Sequence, residues 1–185
     1  CYSLTSINLP ALTTISGSTF SSCSSLTSIN LPALTTISGS AFSSCYSLTS
    51  INLPALTTIS GSAFSSCYSL TSINLPALTT ISSSTFSSCS SLVSFLFYNT
   101  FTSLLQPQQF TGCVNLKDLQ LVSNWRWSLN VKDTDLTHEC IIDMFNKLKD
   151  LTGEDSLTLT IGATNLAKVT DEELQIPNSK NWTVQ

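Results

Sequence analysis

Charge is missing from most of this chain. No Asp, Glu, Lys or Arg occurs before Lys117, although the 185 residues contain seven bases and eleven acids. The first 116 residues are therefore covered by Ser, Thr and Asn alone. With no cation there to neutralise phosphate, nucleic acid is excluded as a partner of that region. The net charge of −4 belongs to the last third and aids solubility. Histidine is nearly absent as well, since His138 is the only one. No apolar run approaches the length of a transmembrane helix, so no membrane insertion is expected from this segment. No secretion signal is visible. No nucleophile–base pair and no phosphate-cradling glycine loop stands out. An enzyme is the weakest reading, and neither a cofactor nor a metal site is expected.

What the chain has instead is a period. Cys1, Cys23, Cys45, Cys67 and Cys89 recur every 22 residues, each opening nearly the same sentence, C-[YS]-S-L-T-S-I-N-L-P-A-L-T-T-I-S-[GS]-S-[TA]-F-S-S. Four copies fill residues 1–88 and differ only at their second, seventeenth and nineteenth positions. A fixed period of this size means a stack of identical units, none of which buries its own apolar side alone. The chain opens on a repeat boundary with no polar cap before Cys1, and is read as a fragment of a longer solenoid.

Within one coil, Leu4, Ile7 and Leu9 follow an L-x-x-I-x-L spacing that points them inward while Thr5, Ser6 and Asn8 face out. Pro10 ends this strand because it has no N–H for a ladder. Leu12 and Ile15 form a second inward pair. Gly17 permits a tight turn, but Ser83 takes its place in the fourth copy, so the turn does not strictly require positive φ. Phe20 fills the middle of the slice. A fifth, degenerate unit runs from Cys89 to Cys113, with Leu92, Phe95, Phe97, Phe101 and Phe110 at inward positions. Leu116-x-x-Leu119-x-Leu121-x-x-Asn124 then restores the spacing.

The odd set of seven cysteines reads as a repeat feature rather than a disulfide framework. Equivalent residues of stacked coils lie about 4.8 Å apart with parallel Cβ directions, whereas a disulfide wants Cβ atoms about 3.8 Å apart and turned toward each other. Free thiols packed as small hydrophobes are expected. Redox and metal roles are the alternative, and a Cys ladder with no His nearby makes a poor zinc site.

After Asn124 the composition changes. Residues 1–124 are read as the repeats and 125–185 as a C-terminal capping segment of mixed α/β structure, which a solenoid needs to close its core. Thr137 is expected to cap a helix over 138–151 with Gly153 as its stop. Leu157, Leu159 and Ile161 alternate as a strand. Thr170-Asp-Glu-Glu173 is a capping box for a short helix stopped by Pro177, and Trp182-Thr-Val184 reads as a last strand. Asp133, Asp135, Glu139 and Asp143 lack a calcium-loop pattern and read as a solvated helix start. Trp125 and Trp127 either stack on sugar or close the degenerate coil, the latter being preferred. Asn181-Trp-Thr183 is a glycosylation sequon only where the source cell uses that chemistry.

The motif C-x-x-L-x-x-I-x-L-P-x-L-x-x-I-x-x-x-x-F resembles the BspA-like leucine-rich repeat, and Leu116 to Asn124 fits the general leucine-rich core. The tail, with Leu157-Thr-Leu-Thr-Ile, Thr164-Asn-Leu166 and Asn181-Trp-Thr183, is similar to the ends of such proteins in gut anaerobes. The resemblance implies a right-handed leucine-rich-repeat solenoid with a parallel β-sheet and few helices. It further implies secretion or cell-surface display, and adhesion to host or microbial surface proteins or glycans. The near-identical copies depart from that family's usual variation and charge, as recent duplication would.

Candidate binding residues are the outward strand rows Thr5/Thr27/Thr49/Thr71, Ser6/Ser28/Ser50/Ser72 and Asn8/Asn30/Asn52/Asn74. They offer uncharged donors and acceptors at a regular pitch, which suits weak multivalent contact. The plainer alternative is that they only solvate the strands. A second hypothesis is structural: an uncharged stack without charged gatekeepers could serve as a stalk, or associate with itself edge to edge or end to end. A third is ice binding through Thr13/Thr35/Thr57/Thr79, disfavoured because the adjacent Thr14 cannot face out on the same strand.

Overall fold

The computed structural model describes residues 1–99 and 108–185, so the inward position expected of Phe101 lies outside the described residues. Each of the first four coils contributes one three-residue strand and one two-residue strand. The three-residue strands are β1 (Ser6–Asn8), β3 (Ser28–Asn30), β5 (Ser50–Asn52) and β7 (Ser72–Asn74). The two-residue strands are β2 (Thr14–Ile15), β4 (Thr36–Ile37), β6 (Thr58–Ile59) and β8 (Thr80–Ile81). β9 (Ser94–Leu96) and β10 (Asp118–Gln120) continue the first set. All these pairings are parallel; those among the four copies join residues 22 apart, such as Ile7 with Ile29 and Ile51 with Ile73, and that of β10 with β9 joins residues 24 apart, such as Leu119 with Phe95. β2-β4-β6-β8 form one four-stranded sheet, while the three-residue strands pair as β1-β3, β5-β7 and β10-β9. The register follows from the repeat, because a slip of one residue would turn every Ile outward.

A third side is bonded without strands. The Ser18, Phe20 and Ser22 amides donate to Gly39, Ala41 and Ser43 carbonyls of the next coil at 3.0, 2.9 and 2.8 Å. This side carries the left-handed backbone at two serines per coil, Ser18 and Ser22 in the first, with φ of 56° and 58°. Gly17 itself is not left-handed. Its role is close approach: a Cβ there would stand 3.3 Å from the Gly39 carbonyl oxygen.

The core is a set of columns. Phe20, Phe42, Phe64, Phe86 and Phe110 stack at centroid spacings of 5.4, 5.3, 5.9 and 6.1 Å. Each buried ring contributes about 1.5–3 kcal/mol. Leu9 departs from expectation, being 44% exposed while its equivalents Leu31, Leu53 and Leu75 are buried; its coil has a neighbour on one side only.

All seven cysteines are free thiols, and all but Cys1 are buried. Cys45, Cys67, Cys89 and Cys113 each donate S–H to a phenylalanine carbonyl about one full turn of the array back (Phe20, Phe42, Phe64 and Phe86), at 3.1–3.3 Å. Burial, with the neighbouring thiol adding to it, pushes Cys45 up to about 12. Burial likewise raises Cys67 and Cys89, and pushes Cys113 up to about 12.

At the degenerate coil the Phe column widens into a plug. Phe95 meets Phe97 and Phe110 at 4.8 and 5.1 Å, and Trp125 lies 4.9 Å from Phe97. Trp125 is buried and its indole N–H donates to the Trp127 carbonyl at 2.7 Å. It closes the coil, as the sequence suggested. The segment that follows holds β11 (Leu129–Asn130), α1 (His138–Lys147), β12 (Leu157–Thr160), α2 (Gly162–Leu166), α3 (Gln175–Ser179) and β13 (Trp182–Val184). Its sheet is parallel, in the order β11-β12-β13. It satisfies the open edge of β10: the Asp135 and Thr137 amides donate to Leu116 and Lys117 carbonyls, and the Leu119 amide donates to Cys140 Sγ.

Thr137 caps α1 by accepting from the Cys140 amide at 3.2 Å, but the helix stops at Lys147 rather than continuing to residue 151. Leu148 leaves it to bridge Trp125, whose amide donates to the Lys147 carbonyl at 2.8 Å. Lys180 Nζ then takes the helix's last carbonyls, Phe145, Asn146 and Leu148, at 2.9–3.1 Å. The capping box is present, with the Thr170 amide donating to Glu173 and the Glu173 amide to Thr170 Oγ1. Pro177 does not stop the helix after it: Pro177 lies inside α3, in the first turn, where a missing N–H costs nothing. α2, five residues long, was not expected.

Candidate binding face

The twelve outward residues are all exposed, because the three-residue strands turn their central Ile inward, buried in β1 and β5 and half-buried in β3 and β7, and turn Ser and Asn out. They are not equally available. The Thr27 and Thr71 hydroxyls donate to the Thr5 and Thr49 carbonyls at 3.0 and 3.1 Å. The Asn30 and Asn74 amides donate to Asn8 Oδ1 and Asn52 Oδ1 at 2.8 and 2.9 Å. Within the described residues no hydrogen bond engages the hydroxyls of Ser6, Ser28, Ser50 or Ser72. The serines are thus the one row of this face in which every hydroxyl is uncommitted, lying between a threonine row and an asparagine row in which every second side chain donates to the coil before it. On the other sheet, the Thr35, Thr57 and Thr79 hydroxyls donate to the Thr13, Thr35 and Thr57 carbonyls, which leaves that row less able to donate to an ice lattice.

Six copies of the BspA type leucine-rich repeat match residues 1–126. The chain belongs to the BspA-type leucine-rich repeat family. Solved structures with the same architecture include a Treponema pallidum leucine-rich repeat protein, 23% identical, with a TM-score of 0.69 over 97% of this chain and 85% of that one. A leucine-rich cell surface protein of Faecalibacterium prausnitzii A2-165 is 22% identical, with a TM-score of 0.64 over 86% of this chain and 42% of its own length. A leucine-rich repeat protein of Bacteroides ovatus ATCC 8483 is also 22% identical, with a TM-score of 0.53, and the chain spans 44% of it. At these identities the likeness shows the fold. No curated protein matches the chain.

The BspA-type face changes character toward its C-terminal end. In the fifth and sixth coils the threonine row becomes Val93 and Lys117, the serine row Ser94 and Asp118, and the asparagine row Leu96 and Gln120. Tyr98 stands exposed beside them and its hydroxyl donates to Asn74 Oδ1 at 3.0 Å. A cleft of about 250 Å³ lies between Ile73, Leu96, Tyr98, Asp118 and Gln120. A larger one of about 480 Å³ lies against α1, lined by Asp118, Gln120, Glu139, Asp143 and Lys147 among others. Reading the rows only through the four copies missed this end, although the L-x-x-L-x-L spacing at Leu116 located the equivalent positions.

The acidic residues near the start of α1 do not converge on one point. Asp135 binds Lys168 at 2.7 Å, and Asp143 pairs with Lys147 at 2.8 Å. The hydrogen bond from Lys168 holds the Asp135 carboxyl below its ordinary range. Among the described residues no three His, Cys, Asp or Glu side chains are grouped to hold a metal ion. His138 Nε2 meets Glu173 Oε1 at 2.8 Å, tying α1 to the capping box. Trp127 is half-buried, with the Arg126 guanidinium 5.9 Å above its ring.

Proposed function

We propose that this chain is a non-enzymatic, surface-displayed or secreted repeat protein that binds host or microbial surface glycans or proteins through the face carrying Ser6, Ser28, Ser50 and Ser72. The observation that supports this most is the row of uncommitted serine hydroxyls, in register and uncharged, repeated once per coil. Single contacts to such a row are weak, and repetition at a fixed pitch converts them into avidity for an equally repetitive partner. The flanking Thr and Asn rows, hydrogen-bonded along the stack, keep that pitch. The relative described as a cell surface protein agrees with display outside the cell.

The test compares wild type with a variant carrying Asn8→Asp, Asn30→Asp, Asn52→Asp and Asn74→Asp, against glycans, matrix proteins and intact cells. Light scattering follows the association state of both. Saturable binding that the charged ladder abolishes in a folded monomer supports the face. No binding, together with polymers of wild type, overturns it in favour of a stalk or filament.

A further inference from the structure

The second position of each coil forms its own outward column, Tyr2, Ser24, Tyr46, Tyr68, Ser90 and Val114. It lies in the turn that leads into the serine-bearing strand. Tyr46 and Tyr68 stack in parallel, with ring centroids 5.2 Å apart and 9° between planes, and both remain exposed. Tyr2 occupies the same turn, closed by the Leu4 amide on the Cys1 carbonyl as Leu48 closes on Cys45. Between Tyr2 and Tyr46 the column carries Ser24 instead of a ring. Two coil steps of 5.2 Å place those two tyrosines about 10 Å apart. The column is therefore one aromatic ring short at Ser24, between two tyrosines.

We infer that this gap is a subsite for a single neutral pyranose, held between Tyr2 and Tyr46 over the Ser24 hydroxyl. A six-membered ring entering there meets both walls at ordinary contact distance, about 4 Å between heavy atoms. Its C–H faces match the negative faces of the phenol rings. Its hydroxyls reach the rim, where Ser3, Ser25 and Ser47 sit at the next position of each coil, with side chains unbonded within the described residues. The absence of charge before Lys117 favours an uncharged ligand over a sialylated or sulfated one. An aromatic side chain of a partner protein would leave that hydroxyl rim unused. Ser90 opens a second gap, but one of its walls is Val114, so it offers one ring face only. This inference rests on the proposed binding role and names the ligand class for it.

The test uses Ser24→Tyr, which installs the residue already tolerated at Tyr46 and Tyr68 and fills the gap without disturbing the fold. Tyr ring resonances are followed by NMR during titration with methyl glucoside, methyl galactoside, methyl mannoside and N-acetylglucosamine, with p-cresol as the aromatic probe. At least one sugar is expected to shift the Tyr46 ring in wild type and to leave S24Y unmoved. Tyr46→Ser, with one wall gone, is expected to weaken that sugar about three- to ten-fold. Equal shifts in wild type and S24Y, no shift with any of the four sugars, or a response to p-cresol alone would each overturn it. Cell binding that survives in S24Y but not in the Asn→Asp ladder would separate the two proposals, removing the pyranose site from the adhesive role while leaving the serine face in place.

Discussion

Alkaline titration offers a direct probe of the thiol column. Cys67, Cys89 and Cys113 are buried, and burial raises all three above the ordinary thiol value of 9.0. Above that value the unfolded chain releases these three protons, and those of the likewise raised Cys45 and Cys140, while the folded chain keeps them. Protons bound by the unfolded state are then fewer, so stability falls as pH rises; below it the contribution is fully present. Each thiol costs about 1.4 kcal/mol per pH unit through this window, and the three together about 4 kcal/mol. A domain stable by about 5–15 kcal/mol loses its fold within a few such units. Urea midpoints measured under reductant at pH 8, 9, 10 and 11 should therefore drop steeply after pH 9. The comparison is a variant with Cys67→Ala, Cys89→Ala and Cys113→Ala, less stable at neutral pH because of its cavities but with a flatter slope above pH 9. Every other difference between folded and unfolded chain is common to both proteins and cancels. Equal slopes in the two proteins, or more thiolate absorbance near pH 9 in folded wild type than in the folded triple variant, which keeps the exposed Cys1, would refute the reasoning.

Two further substitutions probe the core and the cap. Phe64→Ala removes a ring stacked on Phe42 and Phe86 at 5.3 and 5.9 Å and should cost about 3–5 kcal/mol in chemical denaturation; a loss below about 1 kcal/mol would mean that the column is not the core. Lys180→Met leaves three carbonyls at the end of α1 without their cation and should cost about 2 kcal/mol. Hydrogen exchange should show fraying confined to the last turn of α1, and unchanged protection there would contradict the capping role.

The repeats were legible because identical coils have only one way to stack with every Ile inward. Periodicity alone placed Ile7, Ile15 and the repeat cysteines after Cys1 in the core, with Phe20 packed against it. It was silent on the third side, where the left-handed turns fall on Ser18 and Ser22 although the glycine stands at position 17. The start of α1 was legible because Thr137 caps locally. Its end was not, because Leu148 is drawn out by Trp125, far back in the chain, and Lys180 caps it from further on. Pro177 misled because a proline reads as a stop anywhere beyond a first turn, and the first turn of α3 begins later than the capping box suggests. For the candidate face, the outward rows were readable. Which hydroxyls are consumed between coils was not, because that depends on side chains 22 residues apart.

The sameness of the four coils leaves them without individual addresses. A slip of 22 residues puts Asn on Asn and Phe on Phe again, so a shifted stack loses little more than one coil's contacts. Among the described residues one surface stands out by having a unique complement. It is the plug of Phe95, Phe97, Phe110 and Trp125, with the cap closing over β10. The array is in effect numbered from its C-terminal end. Stacking that begins at the plug has one outcome, and stacking that begins among the copies has several of nearly equal energy. Two chains that meet before their caps close have every opportunity to trade coils.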